Sequence, residues 1–105
     1  MKASKRTALE KAGWTIGSAD DFLELSADER AFVEVKLALA EALKLRRERR
    51  KLTQAQVAKL LGSSQPRVAM MEAADKSVSV DLLVRSLLAI GATRGDLSKV
   101  LASKR

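Results

Sequence analysis

The stretch Leu52-Thr53-Gln54-Ala55-Gln56-Val57-Ala58-Lys59-Leu60-Leu61-Gly62-Ser63-Ser64-Gln65-Pro66-Arg67-Val68-Ala69-Met70-Met71-Glu72 decides the fold. It reads as two short helices joined by a three-residue turn. Thr53 followed by Gln56 is a capping-box pattern, and it opens a helix over Gln54 to Leu61. Gly62 stops that helix, because glycine enters positive φ without a Cβ penalty. Ser63 is the link and Ser64 the next N-cap. Pro66 falls in the following first turn, where its missing N–H breaks no intrahelical bond. Ala58 stands four residues before the turn glycine and Val68 six after it. Helices that cross near a right angle need a small residue where they touch, and Ala58 is small. Val68 and Met71 are expected to face the first helix of the pair.

Working outward, other helix starts announce themselves. Ser26 with Glu29 is a capping box that opens a long helix to about Arg50. Phe32, Val35, Leu39 and Leu43 recur along it at helical spacing, and Val33, Leu37 and Ala40 widen that face. Ser18 with Asp21 predicts a short helix to about Leu25. Ser79, with Asp81 near the positive end, opens a helix whose buried side is Leu82, Leu83, Leu87 and Ile90 and which Gly91 ends. Thr93 with Asp96 begins a last short helix carrying Leu97, Val100 and Leu101. Strand-like alternation is confined to Gly13-Trp14-Thr15-Ile16-Gly17, a short extended arm expected to pack on the domain. The C-terminal Ser103-Lys104-Arg105 is expected to fray.

The 105 residues fit one domain, and a 47% apolar composition supplies a core built of Leu, Val and Ala. No Cys and no His are present. That excludes a disulfide framework, a thiolate nucleophile, a zinc finger and a Ser-His-Asp triad. Asp20, Asp21 and Glu24 crowd on one short helix without a metal-ligand partner, so an enzyme is not expected, nor a cofactor. Apolar runs are too short to span a bilayer, the basic N-terminus lacks an apolar signal region, and the expected location is cytoplasmic. The net charge is +7, with acid concentrated ahead of base. Its sharpest cluster is Lys44, Arg46, Arg47, Arg49, Arg50 and Lys51. Such a run favours a polyanion through counterion release, or is a solvated helix face. A basic amphipathic membrane binder is a weaker alternative, since the apolar face beside the run is needed for the core.

The outer face of the second short helix begins with Ser64, Gln65 and Arg67. An ordinary helical hairpin requires no particular chemistry there. Gln pairs bidentately with adenine and Arg with guanine in the major groove, so these are the residue types a groove-reading helix carries at its leading end. With the spacing of Ala58, Gly62 and Val68, they form a helix-turn-helix signature.

From about Leu43 to Leu97 the chain resembles the lambda-repressor-like, or XRE-family, helix-turn-helix proteins, which include phage repressors and Cro proteins. The resemblance rests on Arg47-Glu48-Arg49-Arg50-Lys51-Leu52-Thr53-Gln54, then Ala58, Gly62-Ser63-Ser64-Gln65, Val68 and Glu72, with Ser77-Val78-Ser79-Val80-Asp81-Leu82-Leu83 entering the fourth helix. It implies an all-α, compact five-helix domain, placed here over 32–105; the shared domain does not explain residues 1–31, an N-terminal extension expected to pack on the domain or bind a partner. It implies a partner, double-stranded operator DNA, bound by a homodimer. Gln65, Arg67 and Met70 would face base edges. Thr53, Gln54 and Ser64 would hold phosphates, Gln54 also bracing Gln65, and Arg49, Lys59 and Lys76 are further phosphate contacts. Arg47 and Glu72 would form a structural pair.

Four positions depart from the family pattern. Pro66 replaces a frequent polar reader, so one base contact is expected to be lost. Met70 is apolar where relatives often carry a polar residue, and either meets a thymine methyl or packs. Ala74 and Lys51 stand where glycines are frequent, so the turn at Ala74 is expected to differ, alanine resisting positive φ. Function then reads as a transcriptional regulator, expected to repress. The alternative is the antitoxin of a toxin–antitoxin operon, with the N-terminal extension binding a toxin protein. The helix from Leu97 to Leu101 is the expected two-fold interface.

Overall fold

The computed structural model describes residues 25–102. The helix expected from Ser18, the arm holding Trp14 and Ile16, and Ser103 to Arg105 lie outside them. The described residues form helices α1 Ala27–Arg49, α2 Gln54–Leu61, α3 Gln65–Glu72, α4 Val80–Ala89 and α5 Arg94–Ala102. None is long and apolar enough to cross a membrane.

Each helix starts at a hydroxyl. Ser26, Thr53, Ser64 and Ser79 cap α1 to α4, each accepting a backbone N–H three residues on. Reciprocal boxes close at Ser26 with Glu29 and at Thr53 with Gln56. At α5, Thr93 Oγ1 accepts from the Asp96 N–H at 3.0 Å while Asp96 Oδ2 accepts from the Thr93 N–H at 2.9 Å. These bonds satisfy donors that have no intrahelical partner.

Helices α1 to α4 also end alike. Past each end one backbone N–H reaches back three residues and the next reaches back five: Lys51 to Glu48 and Leu52 to Arg47 after α1, Gly62 to Lys59 and Ser63 to Ala58 after α2, Ala74 to Met71 and Asp75 to Met70 after α3, Gly91 to Leu88 and Ala92 to Leu87 after α4. This Schellman pattern puts one residue in the left-handed region. Gly62 (φ 65°) and Gly91 (φ 100°) suit it, but Lys51 (φ 56°) and Ala74 (φ 55°) adopt it too. The expected difference at Ala74 is therefore corrected: the turn keeps the glycine geometry. The Ala74 methyl is buried, and burying it offsets its backbone cost. Lys51 is exposed and has no such compensation.

The core gathers Leu39, Ala40 and Leu43 of α1, Val57 and Ala58 of α2, Val68 and Met71 of α3, and Leu83 and Leu87 of α4. Ala74, Val78, Ile90 and Ala92 close it from the loops. Ala58 of α2 and Val68 of α3 are thus both buried in this one core. Phe32, read as a member of the apolar face of α1, is exposed instead. It precedes the buried residues of α1, which begin at Ala38.

The basic run on α1 is neither one solvated face nor one polyanion surface. Arg46 Nη2 donates to the Gly91 carbonyl at 3.2 Å and to Asp96 Oδ2 at 3.0 Å. Arg50 Nη1 donates to the Ile90 carbonyl at 2.9 Å. Two arginines one turn apart therefore clamp the carbonyl-rich end of α4, where the helix dipole favours cations. The Thr93 N–H and hydroxyl, with the Arg46 guanidinium, hold the Asp96 carboxyl down at about 2, below its ordinary 3.8.

Lys51→Gly is expected to raise unfolding stability by about 0.5 kcal/mol, and Gly62→Ala to lower it by about 1 kcal/mol, as urea denaturation would read. A Cβ at Gly62 meets nothing within 4 Å, so the second cost is purely backbone. Asp96 contributes stability that is complete above its unfolded value near 3.8 and lost as pH falls toward about 2. The melting temperature of Asp96→Asn should therefore fall less than that of the parent between pH 4 and 2.

Candidate nucleic-acid interface

A carboxylate in the last turn of α3 organises this face. Glu72 accepts from Arg47 Nε at 2.6 Å and Nη2 at 3.0 Å, a two-point contact with a planar guanidinium. Its side chain is 4% exposed and that of Arg47 14%. The bond to Glu72 raises the Arg47 guanidinium above its usual value. Arg47 Nη1 also donates to the Leu52 carbonyl at 3.0 Å, joining the end of α1 to the start of α2.

The same carboxylate accepts from Gln54 Nε2 at 3.1 Å. Gln54 Oε1 in turn accepts from Gln65 Nε2 at 2.7 Å. The direction of this relay follows from chemistry: an ionised carboxylate only accepts, so Gln54 presents its NH2 to Glu72 and its oxygen to Gln65. Gln65 must then donate, and it keeps one N–H and its own Oε1 free of the relay. One donor beside one acceptor is the set that matches the adenine edge in the major groove.

Gln65 and Arg67 are both exposed in the first turn of α3, after the exposed cap Ser64. Ser64 Oγ takes the Arg67 N–H at 3.3 Å, and Pro66 has no N–H, so Gln65 carries the one first-turn donor left outward. At α2 the Thr53 hydroxyl takes the Gln56 N–H, leaving those of Gln54 and Ala55 without intrahelical partners. Thr53 is exposed, and the positive end of α2 is therefore the better anion seat of the two.

The remaining predicted site residues divide. Lys59, in the last turn of α2, and Lys76, in the loop after α3, are exposed. Arg49 is not brought to this cluster. One turn from Arg46, it lines a groove between α1, α4 and α5 with Leu45, Asp96 and Leu97. Met70 is partly buried and packs against the core. The bond from Gln54 to Glu72 has no forerunner in the sequence reading, and neither does Lys36 Nζ donating to the Asp75 carbonyl at 2.8 Å. Spacing does not reveal either bond, since each joins residues far apart in the chain.

Residues 21–94 match a family model described as a helix-turn-helix domain. The chain belongs to that family. The match covers α1 to α4, the crossing of α2 and α3, and the whole Arg47–Glu72–Gln54–Gln65 relay. No curated protein and no solved structure gives a significant match. A helix-turn-helix domain implies DNA binding.

Because the Arg47–Glu72 pair is nearly buried, breaking it strands a charge. Glu72→Ala should lower unfolding stability by about 3–5 kcal/mol. Replacing both partners, as Arg47→Met with Glu72→Leu, should restore most of that loss in the same denaturation experiment.

Proposed function

We propose that this helix-turn-helix protein is a sequence-specific transcriptional regulator that represses by occupying a promoter. In this reading α3 enters the major groove of double-stranded DNA, with Gln65 and Arg67 at the base edges. The observation that carries it is the placement of those two side chains, exposed on one turn, with Gln65 held in a defined orientation by Gln54 and Glu72. A reader whose rotamer is already fixed loses less freedom on binding.

Phosphates would be held around that turn by the α2 start at Thr53 and Gln54, by Ser64, and by Lys59 and Lys76. Pro66 forgoes a polar contact, so readout concentrates on fewer bases. Gln54 keeps one N–H beyond its bond to Glu72, which suits a phosphate oxygen. Met70 supports α3 from within.

The regulator acts as a homodimer in this proposal. Leu45 and Leu101 are exposed, and α5 has no buried residue. An apolar surface around α5 is suited to a two-fold partner. Two copies related in this way would set their α3 helices about 34 Å apart, one turn of DNA.

Selection of bound sites from random duplex DNA tests the proposal, and a two-fold symmetric consensus is the expected result. Arg67→Ala should then cost about 1–3 kcal/mol on the consensus and relax preference at one base pair. Lys59→Ala should weaken binding equally on consensus and random DNA and flatten the salt slope by about one unit. Sites recovered without any consensus would reject sequence-specific reading.

A further inference from the structure

The first turns of α1 and the loop after α3 enclose a groove of about 680 Å³. Phe32, Val33, Leu37 and Ala74 give it an apolar wall, and Lys36 and Lys76 flank it. Phe32 is 58% exposed. Asp28 and Glu29 also border the groove, and their carboxylates share the single Ser26 hydroxyl proton, at 2.6 and 2.7 Å.

We propose that this groove is the docking site of the chain's own residues 20–24, with Phe22 and Leu23 against the apolar wall and the acidic side chains beside Lys36 and Lys76. Two features of the molecule select this occupant. The first is where the chain arrives. Leu25 itself lines the groove, and its carbonyl is fixed to α1 by Arg30 Nη1 at 2.9 Å, so the preceding residue starts at the groove's end. The second is charge. Asp20, Asp21 and Glu24 are acidic, no base stands among residues 20–24, and the apolar pair sits between the acids. Burial already presses the Lys36 ammonium below its ordinary value, with Asp75 offsetting part of that; another carboxylate nearby is electrostatically welcome. The docked segment would brace the N-terminal end of α1 against the loop that leaves α3.

Nuclear Overhauser spectroscopy on the full chain, without DNA, tests this separately from the DNA-binding reading. The expected result is cross-peaks from the Phe22 ring to the methyl groups of Val33 and Leu37. In a mixture of isotope-labelled and unlabelled protein, an intermolecular filter should remove them. Phe22→Ala should shift the methyl resonances of Val33, Leu37 and Ala74 and leave those of Leu97 and Val100 in place. Assigned Phe22 protons without contacts to the groove would overturn the proposal. Cross-peaks that survive the filter would overturn it in favour of a second copy of the chain.

Discussion

One buried carboxylate ties three helices together. Glu72 sits in the last turn of α3, where the helix dipole disfavours a negative charge, and it is almost wholly removed from water. It is tolerated there because Arg47 brings two donors from α1 and Gln54 a third from the positive end of α2. Such a cluster need not add net stability over an apolar one. Its consequence is geometric: the three helix ends hold one arrangement, because any other leaves a charge or an amide unpaired. The orientation of Gln65 is the last link of that chain.

The rest of α1 works by the same rule at its other flank. Arg46 and Arg50 take the carbonyls that α4 leaves unpaired, and Asp96 answers Arg46 from α5. The basic run is thereby sorted by angle around one helix. Arg47 faces α3, Arg46 and Arg50 face α4 and α5, and Lys44 and Lys51 stand in solvent. Net charge in this segment is therefore a poor measure of what is offered to a polyanion. Most of its guanidinium groups are spent inside the protein, and the cations near α3 are the scattered Lys59, Arg67 and Lys76.

Much of the fold is legible in the chain because helix ends are local. Ser26, Thr53, Ser64, Ser79 and Thr93 cap as hydroxyls before helical patterns should, and Gly62 and Gly91 end helices as glycine should. The turns at Lys51 and Ala74 are less legible, because their left-handed residues go against local preference. Phe32 fits the apolar stripe of α1 by spacing alone, yet spacing does not say how far along a long helix its partners extend. The exposed pair Gln65 and Arg67, proposed to read bases, is marked out by residue type and position. The part of Glu72 in aiming Gln65 is not, since it depends on contacts spanning 18 and 11 residues.

Pro66 shows how the two halves of the site are balanced. At the start of α3 a proline removes one backbone donor, and the Ser64 hydroxyl consumes another. The helix that would read bases thus has little left with which to seize phosphate, while α2 keeps two first-turn donors beside Thr53. In the proposed complex the labour divides accordingly: α2 anchors the backbone and α3 inspects the groove. Gln54 belongs to both parts, as the first residue of α2 and the acceptor that holds Gln65. A phosphate drawn to the start of α2 would therefore settle beside the same side chain that aims the reader, and backbone contact and base contact would be set by a single amide.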